Sequence, residues 1–174
     1  MKQPKWFERE FDLNFGADRY AAIYQQLAGA PERLRQTVAG IREEVLVEKR
    51  EGKWSIKEQV GHLFIMEPLW RVRFLDIVEQ KPTLTVADLN NTATTEAGFN
   101  SVAIVELLGR FVTERHETIR LLDGIDAVDL ERTSLHPRLK QPMRVMDLAY
   151  FVAEHDDHHI RECARLSGIG FPEL

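Results

Sequence analysis

Within the run His155-Asp156-Asp157-His158-His159, two imidazoles stand one helical turn apart. On an α-helix, side chains at i and i+4 project from one face with Cβ atoms about 6 Å apart, so His155 and His159 can both reach a single metal ion. Helical phase separates them from the third histidine of the run. At about 100° per residue, Leu148, Ala149, Val152, Ile160, Cys163 and Leu166 define an apolar stripe, with His159 inside it and His155 at its edge. His158 falls on the flank shared with Glu162 and nearer Arg161 and Arg165, and reads as exposed. Asp156 is on the inner side, where an unpaired carboxylate is costly. A hydrogen bond to a ligand histidine would satisfy it and orient that imidazole. The third ligand has to come from elsewhere in the chain.

The elements that must position these side chains are four long helical patterns. The first runs from about 18 to 39, with Gly29-Ala30-Pro31 as a kink or break in its middle. The second opens on a capping box, Ser55-Ile56-Lys57-Glu58, continues to about 79, and carries Pro68 as a kink. The third runs from about 101 to 123 and is closed by Gly124; the fourth runs from about 142 to 167 with Gly168 beyond it. Helices of this length with single apolar faces bury those faces most simply against one another, which predicts an all-α four-helix bundle. Residues 1–174 are expected to form one domain of this kind. The links 40–54, 80–100 and 124–141 are long enough for crossovers, so an up-down-down-up order is expected. Val45-Leu46-Val47 reads as briefly extended, and Asp126 to Leu130 as a helical turn. The aromatic residues Trp6, Phe7, Phe11 and Phe15 are expected along the outside of the bundle or at a dimer contact.

Composition narrows the function classes. A net charge of −5 argues against nucleic acid, whose recognition relies on clustered Lys and Arg. No stretch reaches the apolar length of a membrane span and the start has no signal-peptide core, so the expected location is the cytoplasm. The lone Cys163 cannot form an internal disulfide and lies on the apolar stripe, where it reads as a small buried hydrophobe rather than a nucleophile.

On the second helix, Ile56, Val60, Leu63, Phe64, Trp70 and Phe74 form the apolar face and His62 sits at its margin. The segment Trp54-Ser55-Ile56-Lys57-Glu58-Gln59-Val60-Gly61-His62-Leu63, followed about ninety residues later by Ala153-Glu154-His155-Asp156-Asp157-His158-His159-Ile160, resembles the DinB-like (YfiT-like) metalloenzyme superfamily. The resemblance covers nearly the whole chain, including Leu135-His136-Pro137 ahead of the last helix. It implies a four-helix bundle, usually dimeric, that holds a divalent ion, often zinc or nickel, on three histidines. Those map onto His62, His155 and His159, the last two being the pair that helical phase selects. Members of the superfamily include metal-dependent hydrolases and transferases that join low-molecular-weight thiols such as bacillithiol or mycothiol to electrophiles. The resemblance carries no nucleic-acid role.

The expected function is therefore a metal-dependent enzyme in which a three-histidine ion activates water or a small-molecule thiol, with Asp156 supporting an imidazole. The rival is a non-catalytic small-molecule-binding or stress-protective bundle whose metal is structural or absent. Two further residues stand near the chemistry. Glu67 lies on the apolar side of the second helix and could act as a base or ligand partner, although an ion pair with Arg71 or Arg73 is the reading adopted. His136 reads as a loop histidine, with a place at a cavity mouth as the alternative. His116, between charged neighbours, reads as surface. No Gly-rich phosphate loop, serine nucleophile elbow or paired-cysteine motif is present.

Overall fold

A computed structural model describes residues 6–50 and 52–168. Four long helices form the bundle: α1 (Tyr20–Val38), α3 (Ile56–Val78), α5 (Ile104–Asp123) and α6 (Val145–Ser167). Two short helices, α2 (Glu43–Leu46) and α4 (Thr92–Glu96), lie in the links, and a two-stranded antiparallel ribbon precedes α6, pairing β1 (Thr133–Leu135) with β2 (Pro142–Arg144). Helix α1 packs on α5 and α6, and α3 packs on the same two. The pairs α1/α3 and α5/α6, although consecutive among the long helices, therefore occupy opposite corners of the bundle, and the long links cross between them.

Local signals set the helix ends. Both arms of the capping box form on α3: the Glu58 amide donates to Ser55 Oγ at 3.2 Å and the Ser55 amide to Glu58 Oε2 at 2.9 Å. Helix α6 ends on Gly168 with φ of 76°, the left-handed conformation that glycine adopts at least cost. Three expectations change. The first helix runs unbroken through Pro31. Val45 and Leu46 belong to a helical turn instead of an extended segment, because the chain at 40–47 is packed as a corner over the bundle end, where Leu46 is buried. Helix α6 begins at Val145 instead of 142, since Pro142 to Arg144 pair with the preceding strand.

The apolar core lies in two clusters along the bundle. One contains Leu27, Trp70, Phe74, Phe151 and Val152; the other contains Leu34, Val60, Leu63, Phe111 and Ile160. Charged groups are also buried among the four helices. Arg115 on α5, fully buried, donates to Glu67 Oε1 of α3 from Nη2 at 2.5 Å and Nε at 3.1 Å, and from Nη1 to Asp156 Oδ2 of α6 at 2.6 Å. The same Nη1 donates to the Leu27 carbonyl of α1 at 2.8 Å. That carbonyl lies four residues before Pro31, which has no N–H to offer it, so the arginine supplies the donor that the proline removes. Thr118 Oγ1 donates to the other Glu67 oxygen at 2.5 Å. Glu67 is thus committed to Arg115 and Thr118; the expected pairing with Arg71 or Arg73 does not occur, because Arg71 reaches Glu114 and Arg73 reaches the Thr85 carbonyl.

Burial works against the Arg115 charge, but Asp156 and Glu67 outweigh it and hold the guanidinium above its ordinary pKa. Replacing it strands two buried carboxylates, so Arg115→Leu is expected to lose about 3–5 kcal/mol of stability in urea unfolding. A loss below about 1 kcal/mol would contradict the role given to this network. Cys163 is fully buried, and burial pushes its thiol pKa well up. The native protein should resist thiol alkylation at mildly alkaline pH and react once denatured, as mass spectrometry would show.

Candidate metal centre

His62 on α3 and His155 and His159 on α6 converge in the bundle, each at least nine-tenths buried. His155 Nε2 lies 3.3 Å from His62 Nε2 and 3.2 Å from His159 Nε2. Among the described residues, these three form the one group of histidine, cysteine or acidic side chains close enough to share an ion. A tetrahedral site with metal–nitrogen bonds of about 2.0–2.1 Å places its nitrogens about 3.3 Å apart, so the observed spacing fits a divalent ion.

The partners of the other ring nitrogens support the same conclusion. His159 Nδ1 is 2.5 Å from Gln59 Oε1, an acceptor, so Nδ1 carries the proton and Nε2 presents a lone pair. His62 Nδ1 is 2.9 Å from Thr94 Oγ1, which can accept its proton in the same way. His155 Nδ1 has no hydrogen-bond partner, and its ring is held by edge contacts with Trp6 and Trp70 at centroid distances of 5.0 and 5.3 Å. At least two lone pairs therefore converge on one point, an arrangement that a cation relieves. Burial holds all three imidazoles below their usual pKa, His62 at about 4, so at neutral pH they are uncharged, the form that binds metal.

Gln59 stands three residues before His62, one helical turn away on the same face, and its polar side chain on an apolar surface was a signal open to sequence reading. Thr94 gave none. It arrives through the 80–100 link, where Asp88 Oδ1 and Oδ2 accept the amides of Asn90 and Thr92 at 2.9 and 2.8 Å and Asn91 adopts φ of 53°. Close packing of this link also needs Gly61, since a Cβ there would stand 2.3 Å from the Phe99 ring.

Several expected placements are corrected. Asp156 does not bond to an imidazole; its Oδ2 is taken by Arg115, because the phase that turns it inward aims it at α5. Burial raises its pKa in spite of that arginine. His158 is half-buried, with its ring 5.7 Å from that of Trp6. In the aromatic N-terminal segment Trp6 and Phe11 pack on Phe151 of α6 and Arg9 pairs with Glu154, while Phe7 stays exposed. Apolar area drives this docking, which covers one side of the triad. His116 is exposed, as its neighbours suggested.

The triad opens into a cavity of about 310 Å³ lined by Trp6, Trp54, Met66, Trp70 and Phe151 among others. Trp54 lies against two of the ligand candidates, its ring centroid 4.7 Å from that of His62 and 6.2 Å from that of His159. His136 also lines this cavity and is buried, so it is a cavity residue and not a simple loop histidine. The loop of the ribbon that precedes α6 carries it there. Its Nδ1 accepts the amides of Arg138 and Leu139, each at 3.2 Å, and burial with Arg73 and Arg138 nearby lowers its pKa to about 3.

A four-helix bundle with three convergent histidines from two of its helices defines the class. The sequence profile of the DinB superfamily matches residues 26–163, and the chain belongs to that superfamily. The structure resembles YfiT from Bacillus subtilis, described as a probable metal-dependent hydrolase with an unusual four-helix bundle topology. The TM-score is 0.74 at 20% identity, over 94% of this chain and 95% of that one. No curated protein sequence matches. Among the described residues, no helix is long and apolar enough to cross a membrane.

Four buried histidines, His62, His136, His155 and His159, are shifted below the ordinary imidazole value. In the unfolded chain each titrates near about 6.5. Below that pH the unfolded state takes up protons that the folded state refuses, so the stability they contribute is complete above it and is lost as pH falls. Metal-free protein should lose up to about 1.4 kcal/mol per pH unit for each such histidine below about pH 6.5. Urea midpoints that stay flat between about pH 7.5 and 5.5 would contradict this.

Proposed function

We propose that this chain is a metal-dependent enzyme in which His62, His155 and His159 hold one divalent ion, zinc or nickel, for hydrolysis or thiol transfer on a small molecule. The observation that carries the reading is the convergence of three neutral, buried imidazoles at the wall of an aromatic cavity, with no fourth acidic, cysteine or histidine ligand grouped with them among the described residues. A divalent ion with open coordination positions lowers the pKa of a bound water or thiol and supplies a nucleophile near neutral pH. The description of YfiT as a probable metal-dependent hydrolase supports the hydrolytic branch.

The protein's own residues supply orientation and exclusion of water. Gln59 and Thr94 hold two imidazoles with Nε2 facing inward, and Trp6 and Trp70 clamp the third. Trp54 shields His62 and His159. Asp88 is the one carboxylate among the cavity-lining residues, and backbone amides that donate to both its oxygens lower its pKa and make it a weak base. The reading also takes in a homodimer, which rests on the superfamily resemblance; of the N-terminal aromatics Trp6, Phe7, Phe11 and Phe15, Phe7 is the one left exposed.

Untagged protein should carry about one divalent ion per chain by elemental analysis. His155→Ala should abolish occupancy, and His158→Ala should preserve it. Gln59→Ala should weaken metal affinity by about 10- to 100-fold, because the His159 tautomer is no longer held. Full occupancy in His155→Ala, or none in the wild type, would overturn the assignment.

A further inference from the structure

The end of the cavity away from the triad carries two guanidinium groups without an ion pair; buried Asp76 favours the Arg73 charge from a distance, but its oxygens bond to Lys81 and the Thr85 amide. Arg73 on α3 and Arg138 in the loop between β1 and β2 both line the cavity, and among the described residues neither lies within ion-pair distance of a carboxylate. Arg73 is 2% exposed, and its Nε donates to the Thr85 carbonyl at 2.8 Å. Arg138 Nη2 is buried without any hydrogen-bond partner, while its Nη1 has only a 3.5 Å contact with the Phe7 carbonyl. Burying guanidinium N–H groups without a bonded partner is costly, so this pair calls for a ligand to complete it.

His136 sharpens the point. Because its Nδ1 accepts two backbone amides, its proton resides on Nε2, which faces Arg73 Nη1 at 3.3 Å. Two donors thus point at each other within the cavity wall, and a shared acceptor would satisfy both. Burial lowers the pKa of Arg73 to about 10 but leaves it charged at neutral pH. Asp88, also at the cavity, is exposed and its oxygens are already engaged. Trp70 bridges the two ends, its ring 5.3 Å from that of His155 and 5.5 Å from the Arg73 guanidinium carbon.

We propose that Arg73, Arg138 and His136 form an oxyanion subsite, so that the substrate is a small amphiphile whose apolar body lies along Trp70 and whose carboxylate or phosphate head is held at this end. Its other end then meets the triad. The proposal deepens the reading above and relies on it only for what happens at the triad; the subsite itself can be tested without metal.

All three tryptophans of the chain line the cavity, so ligand binding can be read from intrinsic fluorescence. The probes are phenylbutyrate, phenylbutyl phosphate and the neutral phenylbutanol, titrated into metal-loaded and chelator-stripped full-length protein. In the stripped protein at least one anion should bind about tenfold or more tighter than the alcohol, and the better anion identifies the head group. Arg138→Gln and Arg73→Gln should each cut that preference to about threefold or less while leaving phenylbutanol binding unchanged. Arg138 is only partly buried, so its variant carries the test if Arg73→Gln fails to fold. Equal binding of anion and alcohol, a preference that needs the metal, or one that survives Arg138→Gln would overturn the subsite. Elemental analysis of the same preparations separates the two ideas: a chain without metal defeats the enzyme reading and leaves the anion result standing.

Discussion

One fully buried guanidinium touches all four long helices. Arg115 belongs to α5 and bonds to Glu67 of α3, to Asp156 of α6 and to the Leu27 carbonyl of α1. Such a charge is tolerable inside a bundle only when its donors are satisfied together, so the interaction acts on the register of all four helices at once. Two of its partners neighbour the histidines in sequence: Asp156 follows His155 directly, and Glu67 lies five residues after His62 on the same helix. A slip of either helix would break the network and pull apart imidazole nitrogens that now stand 3.2 and 3.3 Å apart. Pro31 is part of the same arrangement, because its missing N–H frees the carbonyl that tethers α1.

The helices place the three imidazoles, and the connecting segments turn them into a site. The 80–100 link brings Thr94 to His62, the ribbon before α6 brings His136 and Arg138 to the cavity, and the N-terminal segment lays Trp6 against His155. Each of these pieces is irregular or short, and each is held by contacts made far away in sequence. The cavity they enclose is chemically two-ended, with neutral nitrogen donors at one end and unpaired guanidinium groups at the other. In the proposed reading the three-histidine centre sets what is activated, and the opposite end with the indole rings between sets what is held there.

The helical skeleton was legible because its signals are local. Ser55 and Glu58 interact across one turn, Gly168 closes α6 through its own backbone freedom, and the spacing of His155 and His159 follows from helix geometry alone. Motif similarity added His62, and with it the superfamily. Phase also put Asp156 on the inner side correctly, but phase says nothing about which neighbour an inward carboxylate meets.

That choice was made by tertiary structure. Glu67 and Asp156 both point into the bundle interior, where Arg115 reaches them from α5, and that buried arginine outcompetes an imidazole or Arg71 and Arg73 for a carboxylate. The covering of the triad by Trp6, and the burial of His136 beside Arg73, depend on chain segments more than sixty residues from the groups they meet. The sequence by itself determined which side chains share a helical face, because that follows from a fixed rise and turn per residue. Only the packed fold decided which faces meet, because hydrophobic area gives no direction and the partner of each buried charge is selected by whatever the crossing links bring within reach.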